Sequence, residues 1–184
     1  FLFLGRINPI KNIHLLIEGA AKSNAFMVSD SRIIIAGKAW FDYEVEYQKE
    51  LNELISKLRM KDKVVFAGHV EKENKDRLIK DAYFLVLPSK SENFGNVVLE
   101  ALINGTPVIA STGTPWQSLE EYDAGYWVEP NAESIKDAIE SAIHLNPKEY
   151  IELTGNSIEL VKSIYDVNSP ENKWTEIYAK IVKS

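Results

Sequence analysis

Cysteine is absent from this chain of 184 residues. Disulfides and thiolate metal sites are therefore excluded, and an intracellular location is permitted. Long apolar runs are missing as well: none approaches the roughly 20 residues that span a bilayer, and no basic segment precedes an apolar one in the manner of a secretory signal. Cationic excess is also lacking. The 27 Asp and Glu outnumber the 21 Lys and Arg, giving a net charge of −6. That balance argues against a broad binder of phosphate backbones, so no nucleic acid is expected as a partner, although a local cationic pocket for a small anion stays open. Repeats and low-complexity tracts do not occur. Nor is there an initiator Met: the opening FLFLGR already reads as a strand, so a preceding segment is expected.

The chain is 45% hydrophobic, enough for one globular domain spanning residues 1–184 or for half of a two-domain protein. Short β-branched or aromatic runs at Phe1–Leu4, Arg32–Ala36, Lys63–Phe66, Tyr83–Leu87, Pro107–Ala110 and Gly125–Val128 read as strands. Helical patterns lie between them at Asn12–Ser23, Tyr43–Met60, Asn74–Asp81, Asn96–Asn104 and Trp116–Tyr122, and three more follow at Ala132–Leu145, Pro147–Ser163 and Glu171–Val182. A turn-rich break, Tyr165–Asn172, precedes the last of these. This alternation predicts an α/β, Rossmann-like parallel sheet of about six strands with helices on both faces. The near-continuous apolar strands predict burial on both sides.

In such a sheet, ligands bind beyond the carboxyl ends of the strands. Gly5, Arg6 and Lys11 follow the first strand, Gly37 and Lys38 the second, and Gly68 and His69 the third; Ser89–Gly95 follows the fourth and Ser111–Thr114 the fifth. Within SENFGNVVLEALINGTPVIAS, the turn through Phe94 and Gly95 launches a helix at Asn96, which Gly105 and Pro107 close. The first amides of that helix, around Asn96–Val98, carry the positive end of the helix dipole and suit a phosphate. Gly95 permits close approach of the backbone. Glu92 and Glu100 would repel phosphate but accept hydrogen bonds from neutral hydroxyls. A ligand with hydroxyls at both ends and phosphates between them fits the set: a nucleotide-sugar.

These residues resemble a known family. Arg6 and Lys11 in GRINPIK, ENFGNVVLE with its two acids, NGTPVIAS and GYWVEP are similar, in order and over almost the whole chain, to the C-terminal donor-binding domain of retaining GT-B glycosyltransferases of family 4. The resemblance implies one half of a GT-B fold whose N-terminal domain is absent, and transfer of a hexosyl group from a nucleoside diphosphate sugar to an acceptor hydroxyl with retention. It assigns the donor sugar to Glu92, the ribose to Glu100 and the diphosphate to Arg6 and Lys11, with Arg6, Lys11 and Glu92 as catalytic residues. Gly5, Gly37, Phe94, Gly95, Asn96 and Val97 complete the donor site. It implies no cofactor and no required metal, since protein cations take the ion's place. The acceptor, a glycan or lipid-linked glycan of polysaccharide or lipopolysaccharide synthesis, would bind through the missing domain. The full-length enzyme would be cytoplasmic, peripheral to the inner face of a membrane. Asn93 stands where the family more often has Gly, and Trp116-Gln117 where Pro-Glu is common, so neither carries a role.

Other readings stand beside this one. A different GT-B enzyme such as an epimerase would need its own catalytic acids, a non-catalytic module would keep only the donor contacts, and an unrelated phosphate-binding Rossmann protein would not need both acids. Lys38 is evenly balanced between surface charge and ligand contact, and His69 is a weak pocket candidate. His14 and His144 read as structural or exposed. The Tyr43–Met60 helix reads as packed through its apolar stripe, and no carboxylate cluster has metal-ligand spacing.

Overall fold

The computed structural model describes residues 1–165. The helix expected at Glu171–Val182 lies outside the described residues. Six strands form one wholly parallel sheet: β1 (Leu2–Leu4), β2 (Ile33–Ala36), β3 (Val64–Gly68), β4 (Leu85–Leu87), β5 (Val108–Ser111) and β6 (Gly125–Val128). Their order is β3-β2-β1-β4-β5-β6, the doubly wound order in which the chain reverses direction across the sheet between β1 and β4. The expected Rossmann-like α/β fold is observed. Helices α1 (Ile13–Lys22), α2 (Asn24–Val28), α3 (Asp42–Lys57) and α7 (Ala132–His144) pack among themselves on one face. Helices α4 (Lys72–Asp81), α5 (Asn96–Ile103), α6 (Ser118–Glu121) and α8 (Pro147–Tyr165) do so on the other.

Local sequence explains these elements. In α3, Tyr47, Leu51 and Ile55 recur every fourth residue and are buried, as a single apolar stripe requires. Helix α7 starts at Asn131, whose side chain accepts the Ser134 N–H at 2.8 Å, and buries Ile135, Ala138, Ile139 and Ala142. It lies close on α1 because Gly19 has no side chain: a Cβ there would come 2.9 Å from both the Ala132 carbonyl and the Ile135 side chain. Helix α5 ends in a Schellman motif, with Thr106 N–H donating to Ala101 O (2.9 Å) and Gly105 N–H to Leu102 O (3.0 Å) around a Gly105 at φ +73°.

Two expectations need correction. Strands buried on both sides are found at the centre, where β4 and β5 are wholly buried, but Val65 in edge strand β3 is 42% exposed and β6 is only half-buried. An edge strand lacks a neighbour and its full helical cover. The Asn12–Ser23 stretch is shorter than read. Asn12 is left-handed (φ 51°) and ends a 3-10 turn at Pro9–Lys11, while Ser23 caps the separate helix α2 by accepting the Phe26 N–H at 3.1 Å. His14 and His144 are structural, as expected: His14 Nδ1 lies 2.9 Å from the Tyr47 hydroxyl, and His144 Nδ1 2.7 Å from the Glu140 carbonyl. Burial pushes the Tyr47 phenol up to about 12. Among the described residues, no helix is long and apolar enough to cross a membrane.

The carboxyl ends of the strands remain laced together past the sheet, through Gly5 N–H to Ala36 O (3.0 Å), Ile7 N–H to Lys38 O (3.3 Å) and Gly37 N–H to Gly68 O (2.7 Å). Gly37 sits where β2 passes β1 so closely that a Cβ would lie 1.7 Å from the Gly5 carbonyl oxygen. Gly37→Ala must therefore push the β1 and β2 loops apart. The expected cost is about 1–3 kcal/mol, read as a melting temperature lower by about 2–4 °C for each kcal/mol in a chain of this size. An unchanged melting temperature would contradict the close approach.

Candidate functional site

Two cavities open on the carboxyl rim at the β1/β4 reversal. The first, about 460 Å³, is walled by the loops after β1, β2 and β3 and by α5; Gly37, Lys38, His69 and Glu100 line it. The second, about 530 Å³, lies under the β4–α5 loop and is lined by Lys11, Glu92, Asn93, Phe94 and Gly95. Leu4, Arg6, Asn96 and Val97 border both. The junction is thus one guanidinium and the N-terminal turn of α5. Both volumes fall within the range of small-molecule sites.

At the junction, Gly95 (φ +79°) precedes α5 and no side chain caps the helix. A side chain at Gly95 would be strained by that φ and would meet Leu87 at 3.1 Å and the indole nitrogen of Trp116 at 3.4 Å. Trp116 is fully buried and its indole N–H donates to the Phe94 carbonyl, so this tryptophan is a pillar beneath the turn. Of the amides expected to be open around Asn96–Val98, that of Val98 is already used, donating to the Gly95 carbonyl at 2.8 Å; those of Asn96 and Val97 have no acceptor within the helix. Arg6, 53% exposed in its side chain, stands nearby as the cation shared by both cavities.

The second cavity is built by joining the β4 loop to the β1 loop on one side and to the loop after β5 on the other. Lys90 N–H donates to Ile10 O at 2.8 Å, and Glu92 N–H to Gly113 O at 3.0 Å. Lys11 Nζ then reaches Glu92 Oε1 at 2.5 Å, and Ser89 Oγ donates to the same oxygen at 2.8 Å. Among the described residues both partners use Oε1, leaving Glu92 Oε2 to accept from a ligand hydroxyl. The resemblance assigns Lys11 to the diphosphate; the structure pairs it with Glu92 first, so its charge is shared between the acid and any anion in the cavity.

In the first cavity, Glu100 Oε1 accepts from Lys75 Nζ at 2.6 Å, whereas Glu100 Oε2 is buried with no hydrogen-bond partner among the described residues. A buried acceptor without a donor is costly, and a ligand hydroxyl would relieve that cost. Opposite stand Lys38, with Nζ 4.7 Å from the Trp40 ring centroid, and His69, whose ring meets Trp40 edge-on at 6.1 Å. Lys38 and His69 both line the cavity.

The structure therefore gathers Gly5, Arg6, Lys11, Gly37, Glu92, Phe94, Gly95, Asn96, Val97 and Glu100 around two adjoining cavities. Three residues escaped the sequence reading. Lys75 and Trp40 lacked any motif. Glu44, read as part of a packing helix, is wholly buried beneath Arg6. Burial alone would raise the Glu44 carboxyl; hydrogen bonds from the Trp40 N–H and the Asn8 amide, with Arg6 nearby, outweigh it and hold the group below the usual carboxylate range. Among the described residues, no group of three or more His, Asp or Glu is placed to hold a metal ion.

A doubly wound sheet with two cavities meeting at its reversal point has the architecture in which α/β domains bind their ligands. Residues 1–157 match the family described as glycosyl transferases group 1, and the chain belongs to that family. It is 35% identical over 136 residues to the glycosyltransferase MJ1607 of Methanocaldococcus jannaschii, covering 73% of this chain and 33% of that protein. It is 37% identical over 113 residues to the O-antigen chain mannosyltransferase RfbU of Salmonella typhimurium, covering 60% and 29%. The fold matches the Anabaena protein Alr3699/HepE, solved in complex with UDP, with a TM-score of 0.84 at 22% identity over 100% of this chain and 48% of that one. The chain thus spans between 19% and 33% of the length of such curated relatives.

Proposed function

We propose that this chain holds the activated donor, a nucleoside diphosphate sugar, in a retaining GT-B glycosyltransferase of family 4, and that it is the C-terminal half of that enzyme. One observation carries the reading: two carboxylates, each with an oxygen left for a ligand, sit in separate cavities that meet at Arg6 and the α5 amides. Glu100 takes the ribose hydroxyls and Glu92 the hydroxyls of a hexose. Arg6, Lys11 and the α5 N-terminus stabilise the negative charge that grows on the departing diphosphate, without a metal. The acceptor hydroxyl, on a glycan or lipid-linked glycan, comes from the other half of the enzyme, at the cytoplasmic face of a membrane. UDP, bound by the Anabaena protein, is the natural first probe.

The two acids provide the test. Glu100→Gln is expected to weaken UDP and UDP-glucose alike, by about tenfold or more, the loss for one hydrogen bond to a charged group. Glu92→Gln is expected not to weaken UDP, because neutralising the acid releases Lys11 to the phosphates, and to weaken only the sugar-bearing ligand. Calorimetry on both variants with both ligands reads the difference, and equal losses of UDP in the two variants would dismiss the division of roles.

A further inference from the structure

We infer that Glu44 is a positioning residue for Arg6: a buried carboxylate that holds the guanidinium at the junction of the two cavities before the diphosphate arrives. The inference rests on the donor-binding reading above and adds a residue to it. Glu44 lies in the first turn of α3 with a fully buried side chain, and Arg6 Nη1 stands 3.7 Å from its Oε1. The carboxylate is itself fixed from two loops. Asn8 Nδ2 donates to Oε1 at 2.7 Å, and the Trp40 N–H donates to Oε2 at 2.8 Å. The Asn8 amide is pinned in turn, because its Oδ1 accepts the Ile10 N–H at 3.0 Å.

Helix packing alone does not explain an acid here, and capping explains part of it: Glu44, third in α3, reaches back to the Trp40 N–H, and the Phe41 N–H also favours its charged form. An acid that only complemented the α3 dipole would serve as well in the exposed first turn, where Asp42 already stands. Burying a carboxylate is costly unless its charge is used. Among the described residues, Arg6 is the cation that faces Glu44, and it reaches out half-exposed into the rim of both cavities. The contact engages Nη1 at a distance longer than a good hydrogen bond, so the remaining N–H groups of the fork are left for a phosphate. Holding a flexible arginine in place beforehand reduces the ordering that binding would otherwise require.

A double-mutant cycle separates positioning from a general loosening of the loops. UDP affinity is measured by calorimetry for the wild type, Glu44→Gln, Arg6→Ala and the double variant, with uridine as the phosphate-free control. Glu44→Gln is expected to cost UDP about tenfold when Arg6 is present and less than about twofold when it is absent, a coupling typical of residues in contact; uridine should be unaffected. Equal losses in both backgrounds would overturn the inference, whereas failure of the wild type to bind UDP would overturn the donor reading itself. A second measurement needs no variant. Side-chain nitrogen relaxation in the free protein should show Arg6 more restricted than Arg77, whose side chain is 82% exposed and only loosely paired with Asp81 at 3.5 Å. An Arg6 as mobile as Arg77 would equally refute the role.

Discussion

Replacing Arg6 and Lys11 together by alanine is expected to lower affinity for UDP about a hundredfold or more, while affinity for uridine changes little. Each charge-assisted contact contributes about 1.5–3 kcal/mol. Arg6 is half-exposed and Lys11 already serves Glu92, so the lower end applies to both, and two such losses together reach about a hundredfold. The single variants should differ. Removing Lys11 takes the cation away from Glu92 and leaves that carboxylate facing the phosphates, so Lys11→Ala is expected to cost more than Arg6→Ala. In the wild type, UDP should bind more tightly than UMP, and a chelator should change neither. Calorimetry across the three ligands decides the matter: equal affinity for UDP and UMP, or a double variant within threefold of wild type, would rule out protein cations as the diphosphate site.

The largest effect is expected on transfer. Residues 1–184 alone should bind donor weakly and transfer no sugar, and the same residues joined to the rest of a full-length relative should do so. The chain spans 33% and 29% of two curated relatives, and both cavities at the β1/β4 reversal are filled by the proposed donor. Holding a second reactant in line with the first is worth about 7–11 kcal/mol of the barrier, and in this proposal that share belongs to the cleft between domains. The isolated chain should still melt at a higher temperature with UDP present, through mass action. A labelled UDP-sugar incubated with each protein and an acceptor provides the measurement; robust transfer by residues 1–184 alone would refute the division of labour.

The six strands were legible because each is a short β-branched or aromatic run bounded by glycine or proline, and the end of α5 because Gly105 supplies a positive φ that few residues adopt. The rim cluster followed from one rule of parallel sheets. Glu44 was hidden for the opposite reason. In sequence it is one more acid at the start of an amphipathic helix, and its burial arises from Asn8, 36 positions earlier, and from the closeness of two loops that pair only in the folded chain. Lys75 is another such residue: nothing in KENKDRLIK marks it as a partner of Glu100. The exposed edges β3 and β6 were misread because alternation and apolarity reveal a strand but not its place in the sheet. That place depends on long-range pairing.

On the proposed assignment, the shared border at Arg6, Asn96 and Val97 makes the donor site modular. The loops after β2 and β3 shape only the nucleotide compartment, and the stretch from Ser91 to Gly95 shapes only the other. Inheritable change in one need not disturb its neighbour, provided the junction keeps its charge and its backbone. Under that assignment, altering a few side chains beside Glu92 would exchange one sugar for another while the nucleotide grip is left untouched. Diversity of product then comes from a small segment of chain, and the sheet beneath it is free to stay the same.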